Sequence, residues 1–224
     1  MAPCVLNGRS AASVGGKLKV RAKDNDPAAP SRLFATQSAW SAWLETNHES
    51  SSGIWLRLAK KGSSLRSVTY LEALDVALCY GWIDGQKRAE SEDAWLQRFL
   101  PRSARSVWSK INREKALALI ANRKMKPAGH LAIDAAKKSG TWDAAYDSPK
   151  SASVPEDFQR ALDASPRAHE FFRSLDGANR YALLFRIQTV KRAETRARKI
   201  REFVGMLERR EKIHEPRRSR AKSK

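Results

Sequence analysis

Hydrophobic spacing changes character once along this 224-residue chain, and that change limits its fold more than any other feature. Apolar runs of strand length are confined to the front. Ile54-Trp55-Leu56-Arg57-Leu58-Ala59 follows Gly53, and residues 82–88 and 94–100 form two more such runs around the polar link Ala89-Glu90-Ser91-Glu92-Asp93. From Ser109 onward the apolar residues recur every three or four positions, which is the helical period. Strands gathered in front and helices behind indicate an α+β protein rather than alternating α/β. The expected architecture is a small, mostly antiparallel sheet with packed helices in the N-terminal half, followed by a helical C-terminal region.

Local signals place the elements. A helix capped at Thr36 or Ser38 carries Trp40, Trp43 and Leu44 on one face. Thr69-x-x-Glu72 reads as a capping box opening a helix over residues 70–80, with Gly81 ending it. A five-residue hairpin loop at 89–93 would put Arg88 opposite Ala94 and Asp84 opposite Arg98, a favourable charge pair across the ladder. Pro101 stops the second hairpin strand. Helices are then expected to about Asn122, over 127–138 with Pro127 in the first turn, and over 155–163, 166–174, 179–189 and 193–210. The organisation expected is a disordered leader (1–31), an α+β core domain (32–142), a linker (143–154), a helical region (155–212) and a basic disordered tail (213–224).

Charge and cysteine content bound the function classes. Lys and Arg number 43 against 24 Asp and Glu, a formal charge of +19, which points to an anionic partner or a solvated tail. Of this excess +11 lies in residues 177–224, from 16 basic and 5 acidic residues. A basic surface of Arg196, Arg198, Lys199, Arg201, Arg217, Arg218 and Arg220 is therefore a candidate for phosphate polymers, or a nuclear address. The acid-poor leader is compatible with an organelle transit peptide, but it lacks the apolar stretch of a secretory signal. Cys4 and Cys79 make no disulfide framework, and the four His make no recognisable zinc site. No run approaches a membrane span, and no common catalytic motif is present. No metal or cofactor is expected, and the expected location is cytoplasmic.

The densest group of unusual residues lies between Thr69 and Asn112. On a helical wheel Glu72, Asp75 and Cys79 share an arc of about 60° beside the apolar stripe of the 70–80 helix. Trp82 and Asp84 follow directly, then Arg98, Arg102, Trp108, Ser109 and Asn112. If the helix packs on the hairpin, these side chains form one polar pocket walled by Trp82 and Trp108, where carboxylates beside guanidinium groups would have perturbed pKa values. The alternative is purely structural: an N-cap and salt bridges pinning a helix to a sheet. Cys79, at a helix C-terminus with no His adjoining it in sequence, is expected to be a buried, inert thiol. Trp40, Trp43, Trp55 and Trp95 are expected to fill the core, and Trp108 is the better candidate for an exposed stacking surface.

Several of these strings carry a resemblance. Residues 40–48 (Trp-Ser-Ala-Trp-Leu-Glu-Thr-Asn-His), Gly53-Ile54-Trp55-Leu56 and residues 70–85 with their Cys-Tyr-Gly-Trp-Ile-Asp-Gly end are joined by Arg98-Phe99-Leu100-Pro101-Arg102, residues 106–112 and Thr195-Arg196-Ala197-Arg198-Lys199-Ile200. Together they resemble the YdeI/OmpD-associated, or bacteriocin-protection, family over residues 33–212. The resemblance implies a role in protection against bacteriocins or cationic antimicrobial peptides, association with an outer-membrane porin, and no established catalytic residues. The function expected is a non-enzymatic ligand-binding or stress-protection protein with a small-molecule or peptide ligand. Two alternatives stay open: nucleic-acid binding through the basic C-terminal helix and tail, and an enzyme using the carboxylate and arginine pocket.

Overall fold

The computed structural model describes residues 31–103 and 105–215. The leader, Cys4 and the tail residues Arg217, Arg218 and Arg220 lie outside the described residues. The front of the chain runs β1 (Ser31–Arg32), α1 (Gln37–Asn47), β2 (Ile54–Ala59), α2 (Tyr70–Cys79), β3 (Trp82–Ala89) and β4 (Ala94–Pro101). Six helices follow: α3 (Lys110–Ala121), α4 (Pro127–Lys138), α5 (Glu156–Asp163), α6 (Pro166–Ser174), α7 (Gly177–Gln188) and α8 (Ala193–Glu208). The four strands form one sheet in the order β1-β2-β4-β3, antiparallel except where β1 runs parallel to β2. The protein is thus α+β. At two residues β1 is too short to leave a period in the sequence.

Caps explain where the helices begin. Thr36 accepts a hydrogen bond from the Ala39 amide, and Ser109, Ser165 and Asp176 do the same for α3, α6 and α7. The Asp176 cap starts α7 two residues before the sequence pattern suggests. The Thr69/Glu72 capping box is complete, with Thr69 N donating to Glu72 Oε2 at 2.9 Å and Glu72 N to Thr69 Oγ1 at 3.3 Å. Gly81 ends α2 at φ +71°, and a Cβ there would stand 2.8 Å from the Ala128 carbonyl oxygen of α4. Only glycine satisfies both the backbone conformation and the close helix contact.

Two hydrophobic clusters result. The first joins α1, α2, the inner sheet face and α3–α4 around fully buried Trp40, Trp82 and Phe99. Its indole N–H groups donate to carbonyls, Trp40 to Ala73 at 3.0 Å and Trp82 to His48 at 3.2 Å. The second packs α5–α8 around Phe158, Leu162, Leu183 and Ile187. The stretch between them is tied to both. Trp142 and Ala145 pack in the first cluster and Val154 against the second. Asp147 meets Lys110 Nζ at 2.7 Å and Gln188 Nε2 at 2.9 Å. Among the described residues no helix is long and apolar enough to cross a membrane.

The hairpin register departs from the simple count. Arg88 lies opposite Leu96 and Lys87 opposite Gln97, but Asp84 lies opposite Phe99 rather than Arg98. Two causes act together. The innermost pair is Ala89 with Trp95, so the five-residue loop is displaced by one position and by itself would set Asp84 opposite Leu100. Between Asp84 and Lys87 the ladder then shifts back by one. There Gly85 and Gln86 together face the single residue Arg98, a bulge with two residues against one. Gln97, buried at 3% exposure, holds the irregularity by donating its amide to the Gly85 and Gln86 carbonyls at 3.0 and 3.2 Å. Replacing it with leucine removes both hydrogen bonds. The expected result for Gln97→Leu is a loss of about 1–3 kcal/mol in urea unfolding. A variant as stable as wild type would show that the amide does not secure the bulge.

Candidate functional site

The bulge sets the site by turning side chains. Because it adds one residue to β3, Asp84 shares the inner face with Trp82 and Phe99, while Arg98 lies across the ladder from Trp55 on the opposite face. Asp84 accepts a hydrogen bond from the Tyr70 hydroxyl at 2.8 Å, at the N-terminus of α2. Arg98 therefore does not meet Asp84. Its guanidinium lies 5.8 Å from the Trp55 ring centre. Trp55 is buried at 5% exposure, as expected, but it stands outside both hydrophobic clusters, with the Arg88 and Arg98 guanidinium groups over its ring.

Arg102 takes the place that Arg98 was expected to fill. Its backbone N–H donates to the Gly81 carbonyl at 3.0 Å, pinning the chain beyond β4 to the end of α2. Its guanidinium lies over the Trp108 ring, 3.5 Å from the ring centre, and Nη1 donates to the Val107 carbonyl at 3.2 Å. Nε and Nη2 are sealed from solvent and have no hydrogen-bond partner among the described residues. Burial lowers the Arg102 pKa to about 10, opposed by the nearby Tyr146 and Asp84. Buried orphan donors on a charged group are uncommon and call for a cause.

Tyr146 completes the group. Backbone hydrogen bonds from Tyr146 N to Trp108 O and from Lys110 N to Tyr146 O, both 2.9 Å, carry it to the start of α3. Burial and then the Asp84 charge raise its pKa, against the lowering influence of Arg102 and the Ser109 hydroxyl. Tyr70 is raised still further, first by burial and then by Asp84. Two phenols, one carboxylate and one guanidinium, all half-buried, thus lie near enough to influence one another's charge. Trp108 itself is 2% exposed and packs edge-on against Trp142 at 4.8 Å, so it is no open stacking surface. A cleft of about 120 Å³ adjoins it, lined by Arg102, Ser103, Ser106, Trp108, Ser139, Thr141 and three alanines of α4.

The other expected members lie elsewhere. Glu72 is exposed, and its carboxylate is held below its usual range by the Thr69 backbone and hydroxyl that it caps. Asp75 binds Lys115 Nζ of α3 at 2.6 Å. Asn112 contributes its amide to the Ser109 cap. Cys79 is buried against α4, and burial, reinforced by Asp75, pushes its thiol up to about 11. Tyr70 and Tyr146 were missed. Tyr70 is hidden as the first residue after a cap, and Tyr146 sits in an Asp-, Ser- and Ala-rich stretch whose composition suggests a linker.

In the basic region Arg196 is structural. It makes a two-pronged ion pair with Asp157, Nε to Oδ2 at 2.6 Å and Nη2 to Oδ1 at 2.9 Å, and donates Nη1 to the Ile187 carbonyl at 2.6 Å. Lys199 reaches Glu202 at 3.7 Å, whereas Arg198 and Arg201 stay exposed. Among the described residues no three His, Cys, Asp or Glu side chains come together as a metal site.

These features define an α+β protein with a half-buried acid–arginine–tyrosine group beside a small cleft, joined to a separate helical cluster. Residues 151–210 match the family described as "Bacteriocin-protection, YdeI or OmpD-Associated". Residues 32–132 match a domain of unknown function, DUF8412, so the long Cys-Tyr-Gly-Trp-Ile-Asp-Gly string falls there. No curated protein and no solved structure matches the chain.

Two outcomes follow from the geometry. Cys79 should resist iodoacetamide at neutral pH in the folded chain and react only as fast as the protein unfolds; rapid labelling of the native state would contradict its burial. The Arg196 bond, then its charge, depresses Asp157 below its usual value, so this contribution is complete above pH ~3.8 and fades as pH falls through the lowered value. Asp157→Asn should therefore cost on the order of 1 kcal/mol at pH 7, the exposure of the pair limiting it, and the difference from wild type should shrink in acid.

Proposed function

We propose that this chain is a non-enzymatic ligand-binding protein whose site is the Arg102 group, and that its ligand presents acceptor oxygens to the guanidinium. One observation carries this reading: Nε and Nη2 of Arg102 are buried without partners. A protein built only for stability gains nothing from a desolvated arginine with two idle donors, since an apolar side chain of similar size there would be neutral or better. The acids that an enzyme would require are already engaged. Glu72 caps α2, Asp75 binds Lys115, and Asp84 accepts from Tyr70. The thiol, pushed up to about 11, is a poor nucleophile at neutral pH.

Together with the match to the bacteriocin-protection family, this points to a stress-protective role exercised through a small molecule or a peptide. The peptide would enter by its carbonyl or carboxylate oxygens. A cationic peptide would meet a chain of charge +19, in which the nearby acids are already bonded. A cytoplasmic site of action is part of the same proposal.

The test is a thermal-shift comparison of wild type with Arg102→Met, using acetate, inorganic phosphate and N-acetyl-trialanine as probes. Wild type should be stabilised in proportion to the logarithm of probe concentration. Arg102→Met should keep a melting temperature within a few degrees of wild type and lose the response. A large fall in melting temperature with no wild-type response to any probe would make Arg102 structural and overturn the reading.

A further inference from the structure

A second hollow, larger than the cleft beside Arg102, lies along α7. It encloses about 500 Å³ and is lined on the helix by Gly177, Ala178, Tyr181, Ala182, Phe185 and Arg186. Those positions fall in neighbouring pairs four apart, the spacing of one helical face. Glycine and two alanines leave room on that face, and the half-buried rings of Tyr181 and Phe185 supply its apolar area. Tyr146 meets Phe185 edge-on at 4.8 Å, so that ring is held in place.

The remaining walls are pinned to the same helix. The Asn179 side chain, 2% exposed, donates Nδ2 to the His214 carbonyl at 3.1 Å and accepts from the His214 amide at 2.8 Å. The Tyr181 hydroxyl donates to the Asp147 carbonyl at 3.0 Å, which ties down the stretch carrying Pro149. Both His214 and Pro149 border the hollow. Its shape therefore rests on fixed hydrogen bonds.

Charge along the hollow has one sign. Arg186 is half-buried, spends Nη1 on the Ala182 carbonyl at 3.0 Å and makes no ion pair among the described residues. The acids flanking the helix are engaged: Asp176 accepts from the Asn179 amide, and Asp147 is held by Lys110 and Gln188. From Gly177 to Arg186 the face runs about 13 Å, at the helical rise of about 1.5 Å per residue. An elongated apolar surface thus ends at a guanidinium. Elsewhere in the chain the Nε and Nη2 edge of Arg196 grips the Asp157 carboxylate at 2.6 and 2.9 Å, which is what the spare edge of Arg186 is shaped to do. A few polar groups on largely apolar walls, enclosing roughly 300–1,000 Å³, are the usual form of a small-molecule site.

We propose that this hollow binds a small amphipathic carboxylate, with the apolar body along Tyr181 and Phe185 and the carboxylate on Arg186. The site is separate from the Arg102 group and stands or falls independently of it.

Calorimetric titration of the full chain with octanoate and 2-naphthoate, beside the neutral 1-octanol and 2-naphthol, tests it, and methyl NMR locates the site. At least one acid should bind about tenfold more tightly than its alcohol and shift the Ala178 and Ala182 methyl resonances. Which acid does so tells an aliphatic body from an aromatic one. Arg186→Gln should weaken the acid about tenfold, and Arg186→Lys, which keeps the charge and loses the fork, by less. Arg180→Gln, on α7 but outside the hollow, and Arg102→Met should each change it by less than about twofold. The proposal is overturned by no binding of either acid, by alcohols that bind as tightly, by wild-type affinity in Arg186→Gln, by methyl shifts that miss α7, or by losses that follow Arg180 or Arg102.

Discussion

One extra residue in β3 decides what each face of this sheet can do. In an unbroken antiparallel pair continuing from Lys87 opposite Gln97, Asp84 would stand opposite Leu100 and point to the outer face. The bulge at Gly85 and Gln86 turns it inward, opposite Phe99, within hydrogen-bonding reach of Tyr70. A Cβ at position 85 would come within 2.9 Å of the Leu100 side chain, so glycine suits the crowded side of the irregularity. Gln97 is the buried polar side chain that supports the bulge, since its amide donates to both of the bulge carbonyls. The acid–arginine–tyrosine group depends on that turn, and so does the separation of Asp84 from the arginines around Trp55.

Indoles carry much of the cationic surplus. Arg102 lies on Trp108 at 3.5 Å, Arg88 on Trp55 at 4.4 Å and Lys87 on Trp95 at 4.5 Å. Such contacts are worth about 0.5–1 kcal/mol when exposed and about 2 or more when desolvated. Beyond energy they fix orientation. The Trp108 contact keeps Arg102 in place while two of its nitrogens go without partners, and Trp55 holds the outer guanidinium groups close to the sheet. Buried and exposed arginines are both preorganised by the same means, and in neither place would lysine offer the same plane.

Local chemistry was the legible part of the sequence. The Thr69/Glu72 capping box, Pro127 in the first turn of α4 and the strand-length runs fixed the elements, because each depends on residues close together in the chain. The order of strands before helices likewise gave the α+β class. Register was harder. A bulge is encoded by Gly85 together with a glutamine twelve residues away, and simple counting across the loop cannot show it. The same error carried Arg98 to the wrong face and left Arg102 with a supporting part. Tyr146 was illegible for another reason: its place beside Trp108 comes from backbone pairing between residues 37 or so positions apart, to which its own neighbours give no clue. Trp55 read as a core residue because alternation reports burial and not what does the burying.

The register of the β3–β4 hairpin is the most direct point of test, and cross-strand backbone contacts measured by nuclear Overhauser effects in the folded protein report it. Contacts pairing Lys87 with Gln97 and Asp84 with Phe99, with two residues of β3 facing Arg98, are the predicted pattern. Contacts pairing Asp84 with Leu100 in an uninterrupted ladder would place the carboxylate on the outer face, away from Tyr70 and Arg102, and would contradict the account.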